Sequence, residues 1–200
     1  MIGNDVVDLC LAARESNWRR IGFLEKVFSE AEQEIITSSE NQSLAVWLLW
    51  SMKEAAYKAH QRKFHLTRRL NWLVQQCEIL HKEQGKASGI VKINDNIYKT
   101  TSVVSLEYIY TSAQSANISG VKNAIFKAPS SEAKNQLFQE VLEYFKVPCN
   151  ELKLKKDEQG LPFFSSNDSF LFNRFSLSGH GRFSAYNLSL INCETSVKHS

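Results

Sequence analysis

Three groups of residues in this chain are of types that handle phosphates and cations. Asp5 follows Gly3 by two positions, and a glycine there permits a ligand to approach the backbone closely. On its own, an acid ending a strand is an ordinary solvated turn residue. Glu54 and Lys58 are four residues apart within Trp50-Ser51-Met52-Lys53-Glu54-Ala55-Ala56-Tyr57-Lys58, so they share a helix face. Spacing alone gives a surface ion pair, which contributes little. Near the end, Ser178-Gly179-His180-Gly181 lies between two apolar segments. A glycine-flanked turn of this kind can present backbone N–H groups and a cationic side chain to a phosphate, although by itself it is a plain turn between strands.

The elements that must position these residues are visible in the hydrophobic pattern. Residues 2–9 are rich in β-branched side chains and read as a strand with Asp5 near its end. Ser29 and Glu32 have capping-box spacing, which predicts a helix over 29–37. The strongest helix spans 41–61, with Leu44, Trp47, Leu48, Ser51, Ala55 and Ala59 on one face. Leu73-Val74, 90–93, Ile97-Tyr98 and 103–110 read as strands, with Asp95-Asn96 as a hairpin turn.

Residues 112–123 are small and polar and mark an internal boundary. Ser130 or Ser131 can cap a helix running to about Lys146, with Leu137, Val141, Leu142 and Phe145 as its apolar stripe and Pro148 beyond it. Strands at 151–156, 161–164, 175–178 and 182–191 follow. Each half is thus helix, then strands. That predicts an α+β pseudo-duplicate with halves at residues 1–115 and 121–200, each packing helices on a small antiparallel sheet.

Bulk properties narrow the function classes. The chain has 200 residues, 43% of them hydrophobic and 22% charged, as in globular proteins with a sizeable core. A net charge of +3 and a pI near 8.6 favour acidic partners or phosphate-bearing ligands. The basic residues are scattered, so nucleic-acid binding is not expected. Cys10, Cys77, Cys149 and Cys193 have no metal-knuckle or redox spacing and read as reduced, buried thiols. The N-terminus has an acid where a signal peptide would be basic, and the longest apolar run, Leu44 to Trp50, is too short for a membrane helix. A cytoplasmic protein is expected.

Taken together, Gly3-x-Asp5, Ser51-x-Lys53-Glu54-Ala55-x-x-Lys58 and Ser176-Leu177-Ser178-x-x-Gly181 resemble the motif set of the 4′-phosphopantetheinyl transferase superfamily. Phe28-Ser29 followed by Glu32 resembles a further element, and residues 148–162 resemble the stretch preceding the Ser-His motif of larger bacterial members. The resemblance is thin between residues 62 and 125. It implies Mg²⁺-dependent transfer of phosphopantetheine from coenzyme A, the substrate, to a serine of an apo carrier protein, of which acyl, polyketide and peptidyl types exist. The carrier is typically acidic, which suits the pI.

By that resemblance Asp5 and Glu54 match the metal-binding carboxylates, and Glu54 also matches a proposed base, with a metal-bound water as the other route for the proton. Lys58 matches the lysine that contacts the phosphates, and Ser178 and His180 fall in the coenzyme A-binding turn. Asp8 matches an acid of the small synthases and carries no ligand role; Val7 replaces a further acid of larger members, leaving a two-carboxylate shell. Gly179 stands where relatives have their first histidine, and Leu161 replaces the lysine of a Gly-Lys-Pro turn. Both changes remove a phosphate contact, so a relative that binds carrier or coenzyme A without transfer remains an alternative. The motif order also differs from larger members: Gly3-x-Asp5 comes first and the Ser178 segment last. The site can close within a monomer, which the chain length favours, or between subunits of a ring.

Overall fold

The computed structural model describes residues 1–115, 118 and 120–190. Its fold is mixed α/β with every strand pair antiparallel. Strand β1 (Ile2–Asp8) leads into three short helices, α1 (Leu9–Glu15), α2 (Phe23–Val27) and α3 (Glu30–Ser38), and the long helix α4 (Gln42–Phe64). Four strands follow as a meander: β2 (Gln75–Glu83), β3 (Lys86–Ile93), β4 (Asn96–Val104) and β5 (Tyr108–Ser115). The first strand joins the last, giving the sheet order β1-β5-β4-β3-β2. Helix α4 lies across this sheet, and its side chains are buried nearly all round.

The rest of the chain is β6 (Val121–Phe126), α5 (Ser130–Phe145), β7 (Leu152–Lys156), β8 (Pro162–Ser166), β9 (Ser169–Phe172), β10 (Phe175–His180) and β11 (Phe183–Ser189). These strands form two three-stranded sheets, β10-β11-β6 and β7-β8-β9. Leu137 and Val141 of α5 pack with Phe164, Phe172, Phe175 and Tyr186 in a second core. A third, small cluster of Val6, Tyr110, Phe183 and Ala185 joins β1 and β5 to β11. Among the described residues no helix is long and apolar enough to cross a membrane.

Several local expectations shift. Leu73-Val74 is a turn before β2, not a strand. The strand expected over 103–110 is two strands, because Ser105 Oγ accepts the N–H groups of Glu107 and Tyr108 and turns the chain. The β3–β4 hairpin turns one residue early, at Asn94-Asp95, with Asn94 in the left-handed region at φ 52°. Neither Ser130 nor Ser131 caps α5; Pro129 holds the cap position without a side-chain bond. The helix stops at Phe145 because Lys146 turns left-handed at φ 52°, ahead of Pro148. Cys10 and Cys149 are exposed, against the expectation of buried thiols, while burial pushes the Cys77 thiol well up. Cys193, and the parts of the second half beyond residue 190, lie outside the described residues.

Candidate functional site

Side-chain alternation along β1 decides what faces α4. Gly3, Asp5 and Val7 share the side toward the helix. A Cβ at Gly3 would stand 2.1 Å from the Ala55 carbonyl oxygen and 2.6 Å from the Ala59 nitrogen. The glycine therefore serves strand-to-helix contact, rather than the ligand approach expected from sequence. Two residues on, Asp5 lies in the middle of the strand, opposite Thr111, and not at its end. It meets the face of α4 that carries Glu54 and Lys58. The Lys58 ammonium donates to the Asn4 carbonyl at 2.8 Å and to Asp5 Oδ1 at 3.3 Å.

The other wall comes from β10. The free edge of β1 is satisfied by side chains from that strand: the Asn4 N–H donates to Ser176 Oγ at 3.2 Å, and the Asp8 N–H to His180 Nδ1 at 2.9 Å. That bond pins the imidazole and leaves Nε2 as its remaining polar atom. Ser178, Gly179 and His180 are strand residues, not the turn expected; the tight turn is Gly181-Arg182 alone. Gly181 has φ 56°, and a Cβ there would sit 2.5 Å from the Asp8 carboxylate.

Asp5, Glu54, Lys58, Ser178, Gly179 and His180 thereby line one cavity of about 470 Å³. Its electrostatics are unusual. Burial raises the Asp5 carboxyl above the ordinary carboxylate range, with Lys58 partly offsetting. Burial also raises Glu54, and the charge of Asp5 raises it further. Two half-stifled carboxylates beside one ammonium form a site with room for more positive charge. Ser178 Oγ is buried without a hydrogen-bond partner among the described residues, so it has a bond to give to a ligand.

Arg68, Asp8, Arg182, Lys53 and Glu32 take roles that their sequence positions did not announce. Arg68 lines the same cavity, and its charge pulls Glu54 back down. Asp8 caps α1 by accepting from the N–H groups of Cys10 and Leu11, and Arg182 grips it with Nε at 2.9 Å and Nη2 at 2.8 Å. That grip holds the Asp8 carboxyl far below the usual range. The two residues are 174 positions apart, so no local pattern announces the pair. Lys53, the first lysine of the Lys-Glu-Ala-x-x-Lys block, turns away from the cavity. It forms a buried ion pair with Glu32 at 2.7 Å and donates to the carbonyls of Val27 and Trp72. Glu32 also closes the capping box with Ser29 and accepts the Cys77 N–H.

No curated protein gives a significant match to the chain. A family model does match, over residues 1–116, which include Asp5, Glu54 and Lys58. With more than half of its length so matched, the chain belongs to the 4′-phosphopantetheinyl transferase superfamily.

Proposed function

We propose that the protein transfers the 4′-phosphopantetheine group of coenzyme A to a serine of an apo carrier protein and releases 3′,5′-ADP. The observation that carries this reading is the meeting, at one cavity, of Asp5, Glu54 and Lys58 from the start of the chain with Ser178 and His180 from near its end. The two halves, 1–115 and 121–200, would contribute the charged groups and the coenzyme A-binding strand respectively. Their common order of helix and antiparallel strands fits a duplicated ancestor.

Asp5 and Glu54 suit Mg²⁺, which takes one or two carboxylates together with substrate phosphate oxygens. Their raised carboxyls fit a site built for a cation. When bound, the ion neutralises diphosphate charge and helps align it. Lys58, held by the Asn4 carbonyl, faces the same diphosphate and offsets the charge growing on the leaving 3′,5′-ADP. The serine oxygen of the carrier attacks the phosphorus on the pantetheine side. The bond from that phosphorus to the ADP oxygen breaks, and ADP leaves with the electron pair. In this reading Glu54 takes the serine's proton. Ser178 and His180 hold the nucleotide side of the substrate through Oγ and Nε2.

The carrier is acidic in this reading, matching the pI near 8.6, and the setting cytoplasmic with a monomeric enzyme. Release of 3′,5′-ADP from coenzyme A, measured by chromatography with and without apo carrier, tests the reaction. Release only when Mg²⁺ and carrier are both present supports it; none across acyl, polyketide and peptidyl carriers leaves the second reading, a non-catalytic binder, which Gly179 and Leu161 favour.

A further inference from the structure

Residues 180–182 all close on one residue of β1. The Asp8 N–H donates to His180 Nδ1 at 2.9 Å. Gly181 packs against the Asp8 side chain, where a Cβ would stand 2.9 Å from the Asp8 Cβ. Arg182 then wraps the carboxylate: its backbone N–H and its Nε each donate to Oδ2 at 2.9 Å, and Nη2 donates to Oδ1 at 2.8 Å. The remaining nitrogen, Nη1, turns to Glu107 at 3.3 Å. Arg182 does not line the cavity that His180 enters, so whatever it does there it does through Asp8.

This clamp sits where the fold leaves spacing open. Strands β1 and β10 belong to different sheets, so no backbone ladder sets the distance between them. At the Asp8 end that distance is held by the bonds to Asp8 and by the small cluster containing Val6 and Phe183. A guanidinium that engages both oxygens of a buried carboxylate fixes direction as well as distance.

The direction of one bond sets the chemistry of the ring. A backbone N–H can only donate, so Nδ1 accepts with its lone pair. The proton of the imidazole is then on Nε2. His180 meets the cavity as an N–H donor. It has no lone pair there with which to take a proton from a hydroxyl, and it suits an anionic oxygen.

We infer that Arg182 is a positioning residue: through Asp8 it holds the His180 imidazole at the cavity with its proton on Nε2, as a donor to an anionic oxygen of the substrate. What the ring donates to rests on the transferase reading; the clamp and the place of the proton do not.

Two measurements on the full chain test this. Ring nitrogen NMR signals of His180, identified by their loss in His180→Ala, report which nitrogen carries the proton. Wild type should show a protonated Nε2 and a bare Nδ1, and Arg182→Ala should show a mixture of the two forms. Calorimetry with adenosine 3′,5′-bisphosphate reads the consequence. Arg182→Ala should weaken binding about tenfold in the wild-type background and almost not at all when His180 is already alanine. Arg182→Gln, closer in size, takes its place if the alanine variant does not fold. A wild-type proton on Nδ1, ring signals unchanged by the Arg182 substitution, or equal losses of binding in the two backgrounds would overturn the assignment. Wild type that neither binds the nucleotide nor modifies an apo carrier defeats the transferase reading, and the ring signals then still decide the positioning.

Discussion

At the scale of single residues, the site is a compromise between stability and chemistry. Asp5 and Glu54 both have carboxyls raised by burial, and each ionises at the expense of the fold. Their folded values lie above the unfolded ones, so they bind protons more tightly when folded. Stability therefore falls as the pH rises from about 4 toward the raised values. Glu54→Gln removes one of the two charges. It should raise the melting temperature at pH 8 by roughly 2–4 °C while lowering transfer by several orders of magnitude. In wild type, Mg²⁺ should raise the melting temperature more at pH 8 than at pH 5, where protons compete for the carboxylates. Thermal melts across pH, with and without the ion, check both; a Mg²⁺ shift that is larger at pH 5 contradicts the donor set. That Asp5, Glu54 and Lys58 meet at one cavity was legible only through the combined motif set, since each spacing alone reads as an ordinary ion pair or turn. Gly3 was legible as important but for the wrong partner: only the fold shows that α4, not a ligand, occupies the missing Cβ.

At the scale of elements, buried polar contacts hold the supports in register. Lys53 and Glu32 tie α4 to α3, β2 and the loop before it. Removing one partner of such a pair leaves an uncompensated buried charge. Lys53→Met should cost about 3–5 kcal/mol in urea denaturation, and Glu32→Met paired with it should recover much of that. The Asp8–Arg182 clamp works at the other wall, and its sign is opposite to that of the site acids. Arg182 depresses the Asp8 carboxyl, so the stabilisation is present above about pH 4 and is lost as the pH falls below it. Wild type should therefore lose stability between about pH 4 and pH 2 more steeply than Asp8→Asn. Parallel acid profiles would show that the clamp contributes nothing. The capping box and the long helix were legible because their signals are local. The hairpin β8–β9 was not: Asn167-Asp168, both at positive φ, is the same kind of turn pair as Asp95-Asn96, but β9 is only four residues long and too short to show a strand pattern. The serine cap expected for α5 failed because two serines near a helix start do not reveal which backbone N–H groups need them.

At the scale of the whole molecule, the chain closes on itself. Strand β1 gives its open edge to Ser176 and His180, and Asn187 Nδ2 donates to the Gly3 carbonyl at 2.7 Å. Sequence left open whether the early and late motifs meet within one chain or between chains, since the order of motifs is compatible with either. In the folded chain they are neighbours. Mixing Glu54→Gln with a second inactive variant, Ser178→Trp, should therefore restore no activity; recovery would mean that sites form between subunits. In the proposed reaction this cavity moves phosphopantetheine onto a carrier serine. Intact-mass analysis of an apo acyl carrier protein, incubated with coenzyme A, Mg²⁺ and the wild-type chain, tests it most directly. The expected result is a gain of one phosphopantetheine on the carrier, absent with Glu54→Gln and absent when the carrier's serine is alanine. An unmodified carrier across acyl, polyketide and peptidyl types, or undiminished modification by Glu54→Gln, would contradict it.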